Sequence, residues 1–145
     1  MKAIKLAGTG LCLSAVLLGA IFAVQPRQEP ADVSLIQLIG DPDKYDGKFV
    51  RVIGFLRLEF EGNALYFHRE DYESSLTKNA IWIDASADMK KQRQTFDQKY
   101  VLLEGTFDAK RFGHMGLFSG ELHGIKRAEV WQPGTDRKKD KGTRE

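Results

Sequence analysis

One pattern limits this chain more than any other: the alternation of apolar and polar side chains through Lys48–His68, KFVRVIGFLRLEFEGNALYFH. A period of two sends successive side chains to opposite faces of an extended strand. The stretch therefore predicts a long strand, a tight turn and a returning strand. On the outgoing strand Val50, Val52, Leu56, Leu58 and Phe60 share one face, and Arg51, Ile53, Phe55, Arg57 and Glu59 share the other. Gly54 interrupts the apolar face, where a glycine marks a bend or a close backbone approach. Glu61-Gly62-Asn63 predicts the turn, with Gly62 and Asn63 supplying positive φ. On the returning strand Leu65 and Phe67 point inward, and Ala64, Tyr66 and His68 point outward.

The rest of the chain reads as the completion of that hairpin. Ser34 caps a short helix through Ile39, which Asp41-Pro42 ends. Arg69–Leu76 predicts a short helix or ordered loop. In a third strand, Ala80–Asp84, Ile81 and Ile83 face in, while Ala80, Trp82 and Asp84 face out. Ser86 caps a helix over Ala87–Phe96. A fourth strand covers Tyr100–Asp108, with Val101, Leu103, Gly105 and Phe107 inward. Arg111–Gly116 is a glycine-bracketed loop. A fifth strand covers Leu117–Trp131 and slips in its alternation near Gly120 and Gly124, which predicts a bulge. Three strands, a helix and two strands, with a long first strand bent at glycine, make the plan of a five-stranded OB-fold-like barrel, all-β with one or two short helices. A barrel of SH3 type has no place for the Ala87–Phe96 helix.

The ends have a different character. Lys2 and Lys5 precede Leu6–Val24, 19 residues without a charge. A charged start followed by an apolar run predicts an export signal or a membrane anchor, with the domain delivered to the periplasmic side of a bacterial envelope. Residues 1–24 thus form the signal or anchor and 25–33, with Pro26 and Pro30, a linker. Residues 34–132 form the barrel and 133–145 a polar, disordered tail. Charge follows the same division. Ala31–Gln132 carries 14 Lys/Arg against 16 Asp/Glu, a net −2, so the basic excess lies in the two ends. A mildly acidic domain lacks the electrostatic footprint of a nucleic-acid binder. The single cysteine, Cys12, lies in the apolar run, which leaves the domain without disulfide or thiol chemistry.

YDGKFVRVIGFLRLEFEGNALYFHREDY, NAIWID and GHMGLFSGEL resemble segments of a group of uncharacterised bacterial proteins over about Ser34–Trp131. YDGKFVRVIG is also similar to the entry strand of bacterial OB-fold families related to tRNA-anticodon-binding domains. These resemblances imply a fold and transfer no residue role.

Side chains for chemistry are sparse. His68, Glu70, Asp71 and His114 would be the ligands of a metal-dependent hydrolase, but their spacing matches no metal-binding motif. No metal or other cofactor is expected. The stronger candidate is a binding face. Tyr66, His68, Trp82 and Asp84 project together from the second and third strands. The loops that flank this face in OB folds carry Glu61 and Asn63 on one side and Arg111, Phe112 and His114 on the other. Aromatic side chains there can stack on a flat ligand or anchor a protein. The competing role for Tyr66 and Trp82 is packing beneath Arg69–Leu76. The sequence thus predicts a non-enzymatic binding module for a protein or small ligand. Single-stranded nucleic acid is the less favoured partner.

Overall fold

The computed structural model describes residues 28–134. The predicted signal or anchor and nearly all of the polar tail lie outside the described residues. Among the described residues no helix is long and apolar enough to cross a membrane. The strands are β1 (Ala31–Asp32), β2 (Phe49–Arg57), β3 (Ala64–Tyr66), β4 (Ala80–Ile83), β5 (Lys99–Asp108) and β6 (Glu121–Val130). The helices are α1 (Leu35–Gly40), α2 (Pro42–Tyr45), α3 (Arg69–Glu73), α4 (Ala87–Lys91) and α5 (Arg93–Phe96), with a single 3₁₀ turn at Thr77–Asn79 and a tight non-helical turn at His114–Gly116.

β2 organises the barrel. It pairs antiparallel with β3 over Phe55–Arg57 and with β5 over Phe49–Leu56. β3 continues to β4 and β5 to β6, both antiparallel, and β4 joins β6 in parallel. The ring β2-β3-β4-β6-β5 closes on itself, so five strands share one interior. With its single parallel junction and the helical connection between β4 and β5, the fold is an OB-like barrel, as the strand order predicts.

The interior holds the alternating apolar set: Val50, Val52, Leu56 and Leu58, then Leu65, Ile81, Ile83, Val101, Leu103, Phe107 and Leu122. The helices complete it. α1 contributes Leu35 and Leu38, and its N-terminus carries a full capping box between Ser34 and Gln37. Met89 and Phe96 enter from α4 and α5. Gly54 is buried where the chain has no room: a Cβ there would lie 2.7 Å from Leu65 Cγ, 2.7 Å from the Tyr66 carbonyl and 2.8 Å from Leu35 Cδ1. The bulge falls in β6, where the register with β5 shifts between Glu104 and Thr106 and Gly124 adopts φ +59°.

Several expectations need correction. The helix predicted over Ala87–Phe96 is two short helices broken at Gln92, although both Met89 and Phe96 reach the core. The first helix ends at Asp41 as expected, and Pro42 then starts a further helical turn that was not expected, since proline suits a first helical position. The linker is pinned at its end, because Ala31–Asp32 pairs in parallel with Val50–Arg51. β2 stops at Arg57, so Phe60 leaves the inward face and is 93% exposed. In the turn it is Glu61, at φ 56°, that takes the left-handed conformation expected of Gly62 or Asn63. β6 begins at Glu121 and not Leu117.

On the outer surface the packing role expected as the alternative for Tyr66 is the one observed. Phe55, Ala64, Tyr66, Ala80 and Phe118 form a second apolar cluster there, with Tyr72 and Trp82 packed against it. Tyr72 of α3 lies edge-on to Tyr66, ring centroids 5.4 Å apart. Arg57, on the same polar face of β2, is also buried. Its guanidinium lies 4.0 Å from the Tyr72 ring centre, bonds Asp97 at 3.2 Å and is paired with Glu59. The Tyr72 hydroxyl donates to Glu59 at 2.8 Å, which closes the network.

Candidate functional site

The predicted outward set divides. Tyr66 is buried in the second cluster, under the α3 segment that was the competing role for it. His68 is exposed at the start of α3. Its backbone N–H donates to Asp71 at 2.8 Å, and its Nδ1 lies 3.4 Å from the Tyr100 hydroxyl. Trp82 is half-buried, with its ring 5.3 Å from that of Phe118. Asp84 is exposed just beyond β4, and its backbone N–H donates to Leu122.

Around Trp82 the two flanking loops meet. Residues 58–63 join β2 to β3, and residues 109–120 join β5 to β6. His114 Nε2 of the second loop lies 3.8 Å from Glu61 Oε2 of the first. Gly113 lies directly against Trp82: a Cβ there would be 2.6 Å from the indole, and φ +62° with ψ −156° is a conformation that only glycine adopts readily. Each loop also holds a non-glycine residue at positive φ, Glu61 and Met115.

Two hollows share Trp82 and Glu61 as a common wall. One, of about 460 Å³, is lined by Arg111, Phe112, Gly113, His114 and Glu121. The other, of about 490 Å³, is lined by Leu58, Glu59, Phe60, Asn63, Lys90 and Arg93. Of the predicted site residues, Trp82, Asn63, Arg111, Phe112 and His114 therefore converge, and Tyr66, His68 and Asp84 line neither hollow.

Electrostatically the groove is mixed. Glu121 is 6% exposed and bonded to Arg111 at 2.9 Å. Burial pushes its carboxyl upward from the ordinary range, Arg111 opposes that shift, and Asp84 adds to it. Phe112 is 47% exposed beside these charges. An aromatic wall with a few fixed polar groups can hold a ligand by stacking and orient it by hydrogen bonds.

Sequence reasoning missed Glu121, Lys90 and Arg93. Glu121 was within reach: the parallel pairing of the third and fifth strands sets it beside Trp82. Starting the fifth strand at Leu117 hid that register. Lys90 and Arg93 come from the helical connection, which strand alternation does not place.

The ligand set of the hydrolase alternative does not assemble. Asp71 is buried, receiving the Asn79 amide at 2.7 Å and the His68 N–H, whereas His114 faces Glu61 across the groove. Among the described residues no group of three or more His, Cys, Asp or Glu side chains is arranged to hold a metal ion. No protein-family model and no curated protein matches the chain.

Proposed function

We propose that this protein is a non-enzymatic binding module of the bacterial cell envelope, which receives a protein segment or a small polar ligand in the groove over Trp82. The carrying observation is the meeting of the 58–63 and 109–120 loops across Trp82, with hollows on both sides. In OB-like barrels these two loops flank the ligand face, and the groove combines aromatic area with oriented charge. The envelope location rests on the sequence before the barrel, with Lys2 and Lys5 ahead of the uncharged Leu6–Val24 run.

Site-specific photocrosslinking in living cells tests this reading. A photoreactive residue at Phe112 or Lys90, one from each hollow, is expected to give the same adduct, identified by mass spectrometry. The same residue at Ile36, exposed on α1, is expected to give none. Adducts at Phe112 and Lys90 no different from those at Ile36 would overturn the assignment. The location is read separately: a reporter active only in the periplasm, fused after Trp131, is expected to be active.

A further inference from the structure

The hollow that Asn63 lines holds a polar group that the fold leaves unused. Asn63 ends the 58–63 connection and is 9% exposed. Its backbone carbonyl accepts the Ile83 N–H at 3.0 Å. Its side-chain amide bonds to none of the described residues. Every fully buried side-chain nitrogen or oxygen among the described residues has a partner. The free Oδ1 and Nδ2 of Asn63 are therefore the atoms that stay open, and the hollow is where they open. An amide this deeply buried destabilises the fold while it is unpaired, and a ligand that supplies the missing bonds removes that cost.

Cations with spare donors border the same hollow. Lys90 of α4 pairs with no carboxylate among the described residues, and Arg93 at the start of α5 uses only its Nε, on Asp97 at 3.4 Å. The two carboxylates in the lining are already engaged. Glu59 is held by Arg57 and the Tyr72 hydroxyl, and Glu61 faces His114 on the other side of Trp82. In the neighbouring hollow Arg111 is tied to Glu121 at 2.9 Å. Positive charge is thus available on the Lys90 side of Trp82 and matched on the Arg111 side.

These groups together describe a ligand. An asparagine amide offers a donor and an acceptor side by side. In an extended chain the N–H and C=O of one residue point to the same side and present the complementary pair. Free ammonium and guanidinium groups select a carboxylate. Trp82 and the exposed Phe60 supply apolar area beside them, and a hollow on each side of Trp82 suits a chain that continues past it.

We propose that the groove takes an extended peptide segment that carries a carboxylate, with a backbone amide of the peptide bonded to Asn63 and the carboxylate held by Lys90 and Arg93. An Asp or Glu side chain or the C-terminus of the partner chain supplies the carboxylate. The proposal rests on the groove reading above and narrows it to one class of ligand.

An array of random heptapeptides, probed with the full chain in detergent, supplies the ligands. Its arms contain or lack Asp and Glu, each with a free or an amidated C-terminus. The amidated arm without Asp or Glu is expected to stay at background. Retention that needs Asp or Glu assigns the side chain as the source, and retention that needs the free C-terminus assigns the chain end. No retention in any arm, or equal retention in all, overturns the proposal. The best-retained peptide is then titrated by fluorescence polarisation. Asn63→Leu is expected to bind it about tenfold more weakly without a lower urea midpoint, because an apolar group in place of an unpaired amide does not destabilise. A purely structural Asn63 would show the reverse. Asn63→Asp keeps the shape, sets a like charge beside the carboxylate and is expected to abolish binding; it is the deciding variant if the urea midpoint of Asn63→Leu falls. Lys90→Gln and Arg93→Gln are each expected to weaken binding by about fivefold. Wild-type affinity in the Asn63 variants and in Lys90→Gln overturns the proposal. A glycan or nucleic acid crosslinked at Phe112 overturns it and leaves the groove assignment standing. Absence of any adduct at Phe112 overturns both.

Discussion

Gly54→Ala tests the architecture at its tightest point. The position is not in the left-handed region, so alanine adds no backbone strain, and its whole effect comes from crowding. Ordinary carbon contacts lie near 3.5–4.0 Å, so each of the three neighbours would have to retreat by about 0.7 Å or more. Leu35 Cδ1 is the end of a flexible side chain and can turn away. Leu65 Cγ and the Tyr66 carbonyl have less freedom, because both residues belong to the ladder that pairs Leu56 with Leu65 and Phe55 with Tyr66. Overpacking of well-packed interiors costs about 1–3 kcal/mol, and two constrained neighbours place this variant at about 2–3 kcal/mol. In a domain of this size that lowers Tm by about 10–20 °C. Gly54→Val costs at least as much. Urea unfolding followed by far-UV circular dichroism measures the loss, with an unchanged m-value expected. Gly40→Ala is the control, since nothing lies within 4 Å of its Cβ position, and it is expected to change stability by less than about 1 kcal/mol. A Gly54→Ala protein as stable as wild type would refute the close approach of α1, β2 and β3.

Arg57→Ala removes the guanidinium at the centre of the Arg57–Asp97–Glu59–Tyr72 network and leaves Asp97 with only the Leu58 N–H at 2.9 Å and Arg93 at 3.4 Å. About 2–4 kcal/mol of stability is expected to go, read by the same urea titration. Trp82→Ala is expected to cost about 1–3 kcal/mol, less than the 3–5 kcal/mol of a fully buried tryptophan, because one part of the ring packs on Phe118 and another faces the hollows. Glu121 supplies a pH test. Its carboxyl is raised in the folded state, so its contribution is fully present below the ordinary carboxylate value near 4.5 and is lost as pH rises through the folded value. Stability measured from pH 4 to 8 is expected to fall more steeply with rising pH in wild type than in Glu121→Gln, and parallel curves would contradict the burial of this group.

Alternation made the interior legible. It placed Val50, Val52, Leu65, Ile81, Ile83, Val101, Leu103 and Phe107 in one core, and strand order then specified the barrel. Gly54 and Gly124 were readable because glycine inside a strand has few other uses. The outer cluster was readable in part, since packing of Tyr66 beneath Arg69–Leu76 was one of the two expectations for it, while the arrival of Phe118 was not foreseen. Alternation assigns Phe55, Tyr66 and Ala80 to the outer face but says nothing of what covers that face, and here Tyr72 arrives from α3 and Phe118 from the 109–120 loop. Arg57 has the same origin: its ring contact comes from α3 and one of its two carboxylate partners, Asp97, lies far away in sequence. The break at Gln92 lacks a proline or glycine to announce it. The groove was half legible, because loop positions follow from strand order while the register of Glu121 and the placement of Lys90 and Arg93 depend on tertiary packing.

The claim that the loops over Trp82 form the binding site is tested most directly by the affinity of His114→Ala for the partner that photocrosslinking identifies. His114 is exposed, contacts Glu61 across the groove and lines one hollow, so its removal alters the site without opening the core. Calorimetric titration is expected to show binding weaker by about tenfold or more, equivalent to about 1.4 kcal/mol, with the urea midpoint unchanged. Wild-type affinity in His114→Ala would contradict the assignment of the groove.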